Sequence, residues 1–522
     1  MKVLRIRALS FSICVLMTVA VAAPAQDSGQ SLADVARKLR KDTSDEVKMS
    51  EADTKRLFES VDRIFAFASE DSGMPKHAIV KRRMVSKADV EKFVSGALAK
   101  EEYTQRFVQE EMSMKKLGFL PRDFNLKDFL VKSTGQQIAG YYDNQTKTIS
   151  LLNWVPADRQ EPILAHELTH ALQDQNYDLT KWMKGAQKSG GADDESAVAR
   201  KAIVEGQAMV VYVDYMLKPL GRTLQDTPDL LYSIEDPSIK AMADSQLMHD
   251  SPMVMREAGG FAYKEGLIFE GELLRKGGKE MAFAGVFARP PRNSHEVLHP
   301  ETYIQGEKLP ALRIPDMRPL LNNQYDVYDS GSIGELDVRA LLKQYGERKI
   351  ADDLSSAWQG GTYALYRRKQ PEPAAATVST EDLALLYVSR WKSPQTAERF
   401  AHFYASAVSQ RYQSAAVEQV ANCSGDNCPV WAAHFTTEEG PVIVEHWSDN
   451  SVIISESFDA PTADKLRTAL RSGTGAARAE NQPQQEIGLR LFTLPAFQAF
   501  LGRIREFLSP ELVHQTISAA GR

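Results

Sequence analysis

Cysteine is scarce in this chain. Three occur in 522 residues, and one of them, Cys14, lies in an N-terminal apolar run. Without that run only Cys423 and Cys428 remain, bracketing the polar turn Ser424-Gly425-Asp426-Asn427. The C-x-x-C spacing of redox motifs is absent. In an exported protein the pair is expected as a short-loop disulfide, with two free thiols as the alternative. Long apolar runs are missing beyond the first 25 residues, so no membrane span is expected in the mature chain. Basic excess is missing as well. The formal charge is −6, which argues against a nucleic-acid partner. No internal repeat is evident.

The N-terminus reads as an export signal. Lys2, Arg5 and Arg7 precede an apolar run from Ala8 to Ala22, and Ala23-Pro24-Ala25 fits an A-x-A cleavage site. The expected mature start is Gln26, and the expected compartment is the periplasm or the exterior. Loss of three basic residues with the leader takes the charge to −9. A hydrophobic content of 43% is ordinary for a globular chain, and the length suggests two to four domains.

What the chain does have is His166-Glu167-Leu168-Thr169-His170, an H-E-x-x-H pattern inside an apparent helix from Pro162 to Gln173. Residues four apart stack on one helical face, so both imidazoles can reach one metal ion. Glu167 leans toward the same site and can take a proton from a water on the metal. Leu164, Leu168 and Leu172 fall roughly opposite and define a core face. Pro162 suits a first helical turn. An ordinary amphipathic helix with two solvated histidines has the same spelling.

A third ligand is available downstream. Asp193 and Asp194 suit a helix N-terminus, and from Ala202 the segment is nearly apolar all round, as in a buried helix. Glu205 is the lone carboxylate in that run and needs a partner, either a metal or a Lys or Arg. Ala202, Gly206 and Ala208 are small enough to let another helix approach. Asp174, four residues after His170, can orient a ligand imidazole or simply be solvated. Gln137 to Leu151 reads as strand, turn, strand, with Asp143-Asn144 as the turn. Its edge is suited to an extended peptide.

The Glu205-Gly206 pair in an apolar helix after an H-E-x-x-H helix resembles the gluzincin metallopeptidases. His166 to Gln175, Ala139 to Asp143 and Pro290 to Glu301 look like segments of a largely uncharacterised group of exported bacterial proteins of that kind. The resemblance covers roughly residues 80 to 305. It implies one Zn2+ per chain on His166, His170 and Glu205, with Glu167 as general base and a peptide or protein as substrate. One departure is the 34 residues between His170 and Glu205, more than in thermolysin-like members. They hold Lys184 to Gly191, a loop that bears on specificity more than on chemistry.

The expected fold class is α+β. A mostly helical zincin-like catalytic domain with an edge hairpin precedes a smaller C-terminal α+β module. The divisions are a leader at 1–25, a helical region at 26–135, the catalytic domain at 136–370, the module at 371–473, and a linker with an amphipathic helix at 474–522. In the helical region Leu57, Val61, Ile64 and Phe65 fall at helical spacing, as do Val90, Phe93 and Leu98. Ala262 to Leu274 is a further helix, with Gly266 for close packing. In the module Leu383 to Trp391 reads as a strand, Ser393-Pro394 opens a helix, three strands follow, and a helix from Pro461 to Leu470 closes it.

The oxyanion of peptide hydrolysis needs another donor. Tyr263, His295 and His299 are candidates, with His299 preferred because Pro300 restrains its backbone. Asn293 and Glu296 as the cap of a short helix is the competing account. A zinc-stabilised binding or envelope-assembly protein is the alternative to a peptidase, and an intact Glu167 disfavours it.

Overall fold

The computed structural model describes residues 49–86, 88–89, 101–129, 141–185, 194–233, 251–310, 312–321, 324–369, 378–422 and 428–472. The leader, the helical spacing of Val90, Phe93 and Leu98, the linker near Pro371, Cys423 and the C-terminal amphipathic segment lie outside them. Ser50 caps the first helix, Glu51–Ser72, by accepting from the Asp53 amide, and Gly73 ends it at φ 72°. Leu57, Val61, Ile64 and Phe65 are buried, as their spacing demands. The helical reading of 26–135 missed a strand, β1 (Lys81–Val85). Three consecutive basic residues hide it. Arg82 reaches Asp62, and Arg83 reaches Ser150 and the Tyr141 hydroxyl.

The expected hairpin forms from β2 (Tyr141–Asp143) and β3 (Thr148–Leu152), paired antiparallel. Asp143 makes the turn by accepting from the amides of Gln145 and Thr146. β1 adds to β3 in parallel, giving the order β1-β3-β2 and leaving β2 at an edge. Against this sheet stands a helical bundle, from which the candidate site is built.

The other sheet is antiparallel and seven-stranded. Its strands are β4 (Tyr325–Ser332), β5 (Trp358–Arg368), β6 (Leu383–Trp391), β7 (Ala415–Asn422), β8 (Trp431–Thr437), β9 (Gly440–His446) and β10 (Ser451–Glu456), in the order β4-β5-β6-β10-β9-β8-β7. β6 is apolar without a break from Leu383 to Val388 because both of its faces are buried there. Leu385 and Tyr387 join the core shared with the bundle and the helix Pro394–Arg411, while Ala384, Leu386 and Val388 join a second core under Leu466 and Phe458. The boundary expected at 370/371 falls between β5 and β6, which pair from Trp358 opposite Trp391 to Arg367 opposite Leu383. The expected helix after Ser393 and the closing helix are present as Pro394–Arg411 and Ala460–Ser472. β7 escaped the sequence reading because its outer valines, Val417 and Val420, are exposed at the sheet edge and show no apolar alternation. Cys428 is disulfide-bonded. No helix among the described residues is long and apolar enough to cross a membrane. The fold is therefore mixed α+β.

Candidate metal centre

The H-E-x-x-H segment lies in a helix from Ala157 to Tyr177. The helix starts before Pro162, which sits one turn inside it. Gln160 secures this early start. Its carboxamide accepts from the Leu152 amide and donates to the carbonyls of Leu152 and Val155, tying the helix to β3. Leu164, Leu168 and Leu172 face the core as expected. The opposite face is also covered: His166 is fully buried, Glu167 is 4% exposed and His170 half-buried.

Glu205 lies on the helix Asp194–Leu217 and is itself buried. This helix is crossed by Gly266–Lys279. Gly206 and Gly266 meet at the crossing: a Cβ on Gly206 would stand 2.4 Å from the Gly266 carbonyl oxygen, and one on Gly266 would stand 2.4 Å from the Ala202 carbonyl oxygen. The small residues predicted to admit a neighbour do so here, and the approach fixes the backbone of the ligand helix beside Glu205.

Three ligand atoms converge. His166 Nε2 lies 3.1 Å from Glu205 Oε2 and 3.1 Å from His170 Nε2, and His170 Nε2 is 3.5 Å from Glu205 Oε2. Ligands 2.0–2.2 Å from a tetrahedral zinc ion stand about 3.3–3.6 Å apart. The triangle therefore matches one face of such a site to within a few tenths of an ångström. The other carboxylate oxygen, Glu205 Oε1, receives Lys201 Nζ at 2.5 Å. Of the partners weighed for Glu205, the lysine is present, on the oxygen that does not face the imidazoles. Lys201 escaped notice, although its position four residues before Glu205 was the available signal.

A second missed residue orients His170. Gln173 Nε2 donates to the Val204 carbonyl and to Gln207 Oε1, so Gln173 Oε1 faces His170 Nδ1 at 2.9 Å as an acceptor. Gln207 donates in turn to the carbonyls of Ala282 and Phe283. The proton is thereby held on Nδ1, and Nε2 presents its lone pair to the triangle. Burial alone would raise the Glu205 pKa, but Lys201, His170 and His166 hold it well below the usual carboxylate range. Burial alone would lower His170, yet Glu205 raises it above an ordinary imidazole.

Asp174 does not orient an imidazole. It accepts from the Tyr142 hydroxyl, Lys147 and the Leu179 amide, and so locks the helix end to the hairpin. Its position next to Gln173 turns it about 100° away from the face that Gln173 uses. The Tyr142 amide donates to Glu167 Oε2 at 2.9 Å, so this outward amide of the β2 edge is engaged by the motif itself.

Among the three donor candidates, Tyr263 packs against His166, with ring centroids 6.2 Å apart, from a π-helical turn at Phe261–Glu265. Such turns interrupt a regular helix and re-aim its side chains. His295 and His299 are brought to Glu335. His295 Nδ1 lies 2.6 Å from Glu335 Oε2, and His299 Nε2 lies 3.0 and 3.1 Å from the two oxygens. Asn293 caps the short helix Ser294–Leu298 by accepting from the Glu296 amide, as the competing account of this segment has it. Glu335 was missed. It is a first-turn residue of the helix Glu335–Tyr345, with no local feature to mark it.

Residues 323–469 match a family described as Domain of unknown function (DUF8575), a stretch that covers the seven-stranded sheet and Glu335 but not the H-E-x-x-H helix. No curated protein and no solved structure matches the chain.

Proposed function

We propose that the protein is a zinc metallopeptidase hydrolysing peptide bonds, exported through a cleaved leader at residues 1–25. The observation that carries this reading is the convergence of His166 Nε2, His170 Nε2 and Glu205 Oε2 beside Glu167. His166, His170 and Glu205 would hold the ion, leaving the open fourth position that a catalytic zinc requires. Zinc bound there supplies Lewis acidity for a water and for the scissile carbonyl. Glu167 takes the proton of the attacking water and delivers it to the leaving amine. The Tyr142 amide holds the Glu167 carboxylate in place, and Gln173 keeps His170 in the ligating tautomer. Tyr263 is the proposed donor to the developing oxyanion, because it packs on His166.

The burial of His166, Glu167 and Glu205 favours one other reading, a zinc-stabilised binding or envelope-assembly protein. Replacement of Glu167 by Gln separates the two. With zinc retained and peptide cleavage lost, the peptidase reading stands. A wild-type protein that holds zinc yet cleaves no member of a broad peptide library leaves the binding protein.

A further inference from the structure

We infer that His295, His299 and Glu335 form a second site for a divalent first-row metal ion, zinc in the first instance, which clamps the short helix Ser294–Leu298 to the helix Glu335–Tyr345. The segment His295-Glu296-Val297-Leu298-His299 repeats the H-E-x-x-H spelling. Its two imidazoles and the Glu335 carboxylate bring three ligand atoms within 4.8 Å of one another. Two nitrogens and one carboxylate oxygen are the donor set that borderline ions such as zinc prefer.

The scaffold around these ligands is already rigid. Ser294, beside His295, donates its amide and hydroxyl to Glu195. The Leu336 amide, beside Glu335, donates to that same Ser294 hydroxyl. The residues next to the ligands on both elements are thus bonded to each other, and through Glu195 to the first turn of the helix that carries Glu205. Glu195 lies ten residues from Glu205, about 15 Å along that helix. Pro300 follows His299 directly, and Trp358 packs on the His295 ring.

The charge balance also points to a cation. Glu335 is 3% exposed and its hydrogen-bond partners are the two histidines. Arg339, one turn along the same helix, is directed to Glu257 and Glu265 instead. A buried carboxylate needs compensating positive charge, and a divalent ion would supply it on the line of the existing nitrogens, in place of a proton on His299. Solvent reaches the group through His299, which is 27% exposed. The site is for holding rather than hydrolysis. Glu296, in the position of the base, accepts from the Arg292 amide at 2.6 Å and from Arg292 Nε at 2.7 Å.

The test is metal stoichiometry. The untagged full chain is stripped with a chelator, reloaded with excess zinc, freed of unbound ion and analysed by elemental mass spectrometry. The expected content is about two ions per chain in the wild type and about one in either His166→Ala/His170→Ala or His295→Ala/His299→Ala. In the His166→Ala/His170→Ala background, zinc should raise the melting temperature, and adding Glu335→Gln, which keeps a hydrogen-bond acceptor, should abolish both the rise and the bound ion. Zinc content unchanged by His295→Ala/His299→Ala, or an ion in the His166→Ala/His170→Ala background that survives Glu335→Gln, overturns the inference and leaves a hydrogen-bonded cluster only. A wild type with one ion that is lost with His295 and His299 but not with His166 and His170 supports this site and refutes the zinc peptidase.

Discussion

Two segments of this chain share one spelling and live in different surroundings. His166-Glu167-Leu168-Thr169-His170 sits in the middle of a 21-residue helix, where both imidazoles project from one face and meet a carboxylate from a second helix. His295-Glu296-Val297-Leu298-His299 takes the last four positions of a five-residue helix and puts its second histidine beyond the end, at φ −128° and ψ 75°. The first segment pairs its internal glutamate with a backbone amide, and the second pairs it with an arginine. An amide donor orients a carboxylate and leaves it able to accept a proton, whereas a guanidinium partner holds it ionised. On the proposed reading, the same five-letter pattern sets up a base in one place, and in the other it sits in an ion pair with Arg292.

The largest test of this contrast replaces each glutamate in turn. Glu167→Gln is expected to lower peptide hydrolysis by about 10²–10⁴-fold with zinc retained. Glu296→Gln should lower the melting temperature, through loss of the Arg292 pair, and leave turnover per folded molecule nearly unchanged. Equal losses of turnover in the two variants would erase the distinction.

Next in size is the helix crossing beside the first group. Gly206→Ala places a methyl 2.4 Å from a backbone oxygen. It should destabilise the fold by roughly 2–3 kcal/mol, with zinc affinity falling because Glu205 is adjacent. Chemical denaturation together with zinc titration reads both. A Gly206→Ala protein of wild-type stability would mean that the two helices separate freely.

Gln173→Leu tests the orienting shell. Loss of the acceptor for His170 Nδ1 should weaken zinc binding about 10–100-fold, as measured by competition with a chromophoric chelator, and leave the His295 group unaffected. Unchanged affinity would place the control of the His170 tautomer elsewhere.

The smallest expected effect is a pH dependence in chelator-treated protein. Glu335 accepts from His299 and raises it above the ordinary 6.5, against its burial. A raised imidazole contributes stability fully below its unfolded pKa and loses that contribution as pH rises through the folded value. Burial would raise Glu335, but the hydrogen bonds of the two histidines hold it below its ordinary 4.5, so its contribution is lost in acid. The melting temperature of metal-free protein should therefore decline from about pH 6 to 8, and less steeply in Glu335→Gln. Parallel profiles for the two proteins would remove the coupling between Glu335 and His299.

Much of the architecture was legible because burial writes periodicity. The helix at 394–411 follows a Ser-Pro start and turns Ala397, Phe400, Ala401, Tyr404 and Val408 inward. β6 was read as a strand from Leu383 to Trp391 and lies there. The strands that escaped, β1 and β7, carry charge or exposure where alternation would otherwise show. β4 and β5 escaped for another reason. β4 pairs with β5 across the two helices at 335–355, and β5 pairs with β6 across the 370–377 stretch, and strand pairing over such distances leaves no local trace.

The sequence by itself determined which side chains could bind metal and which pairs share a helical face, because a spacing of four residues is a local property of the helix. It also determined the close approach at Gly206 and Gly266, since only small side chains permit one. Tertiary structure alone decided the partners. Glu205 meets His166 and His170 across two helices, Gln173 rather than Asp174 orients His170, and His299 goes to Glu335 and not to the first site. These outcomes depend on where separate elements cross, which is set by the packing of whole faces and not by any five-residue pattern.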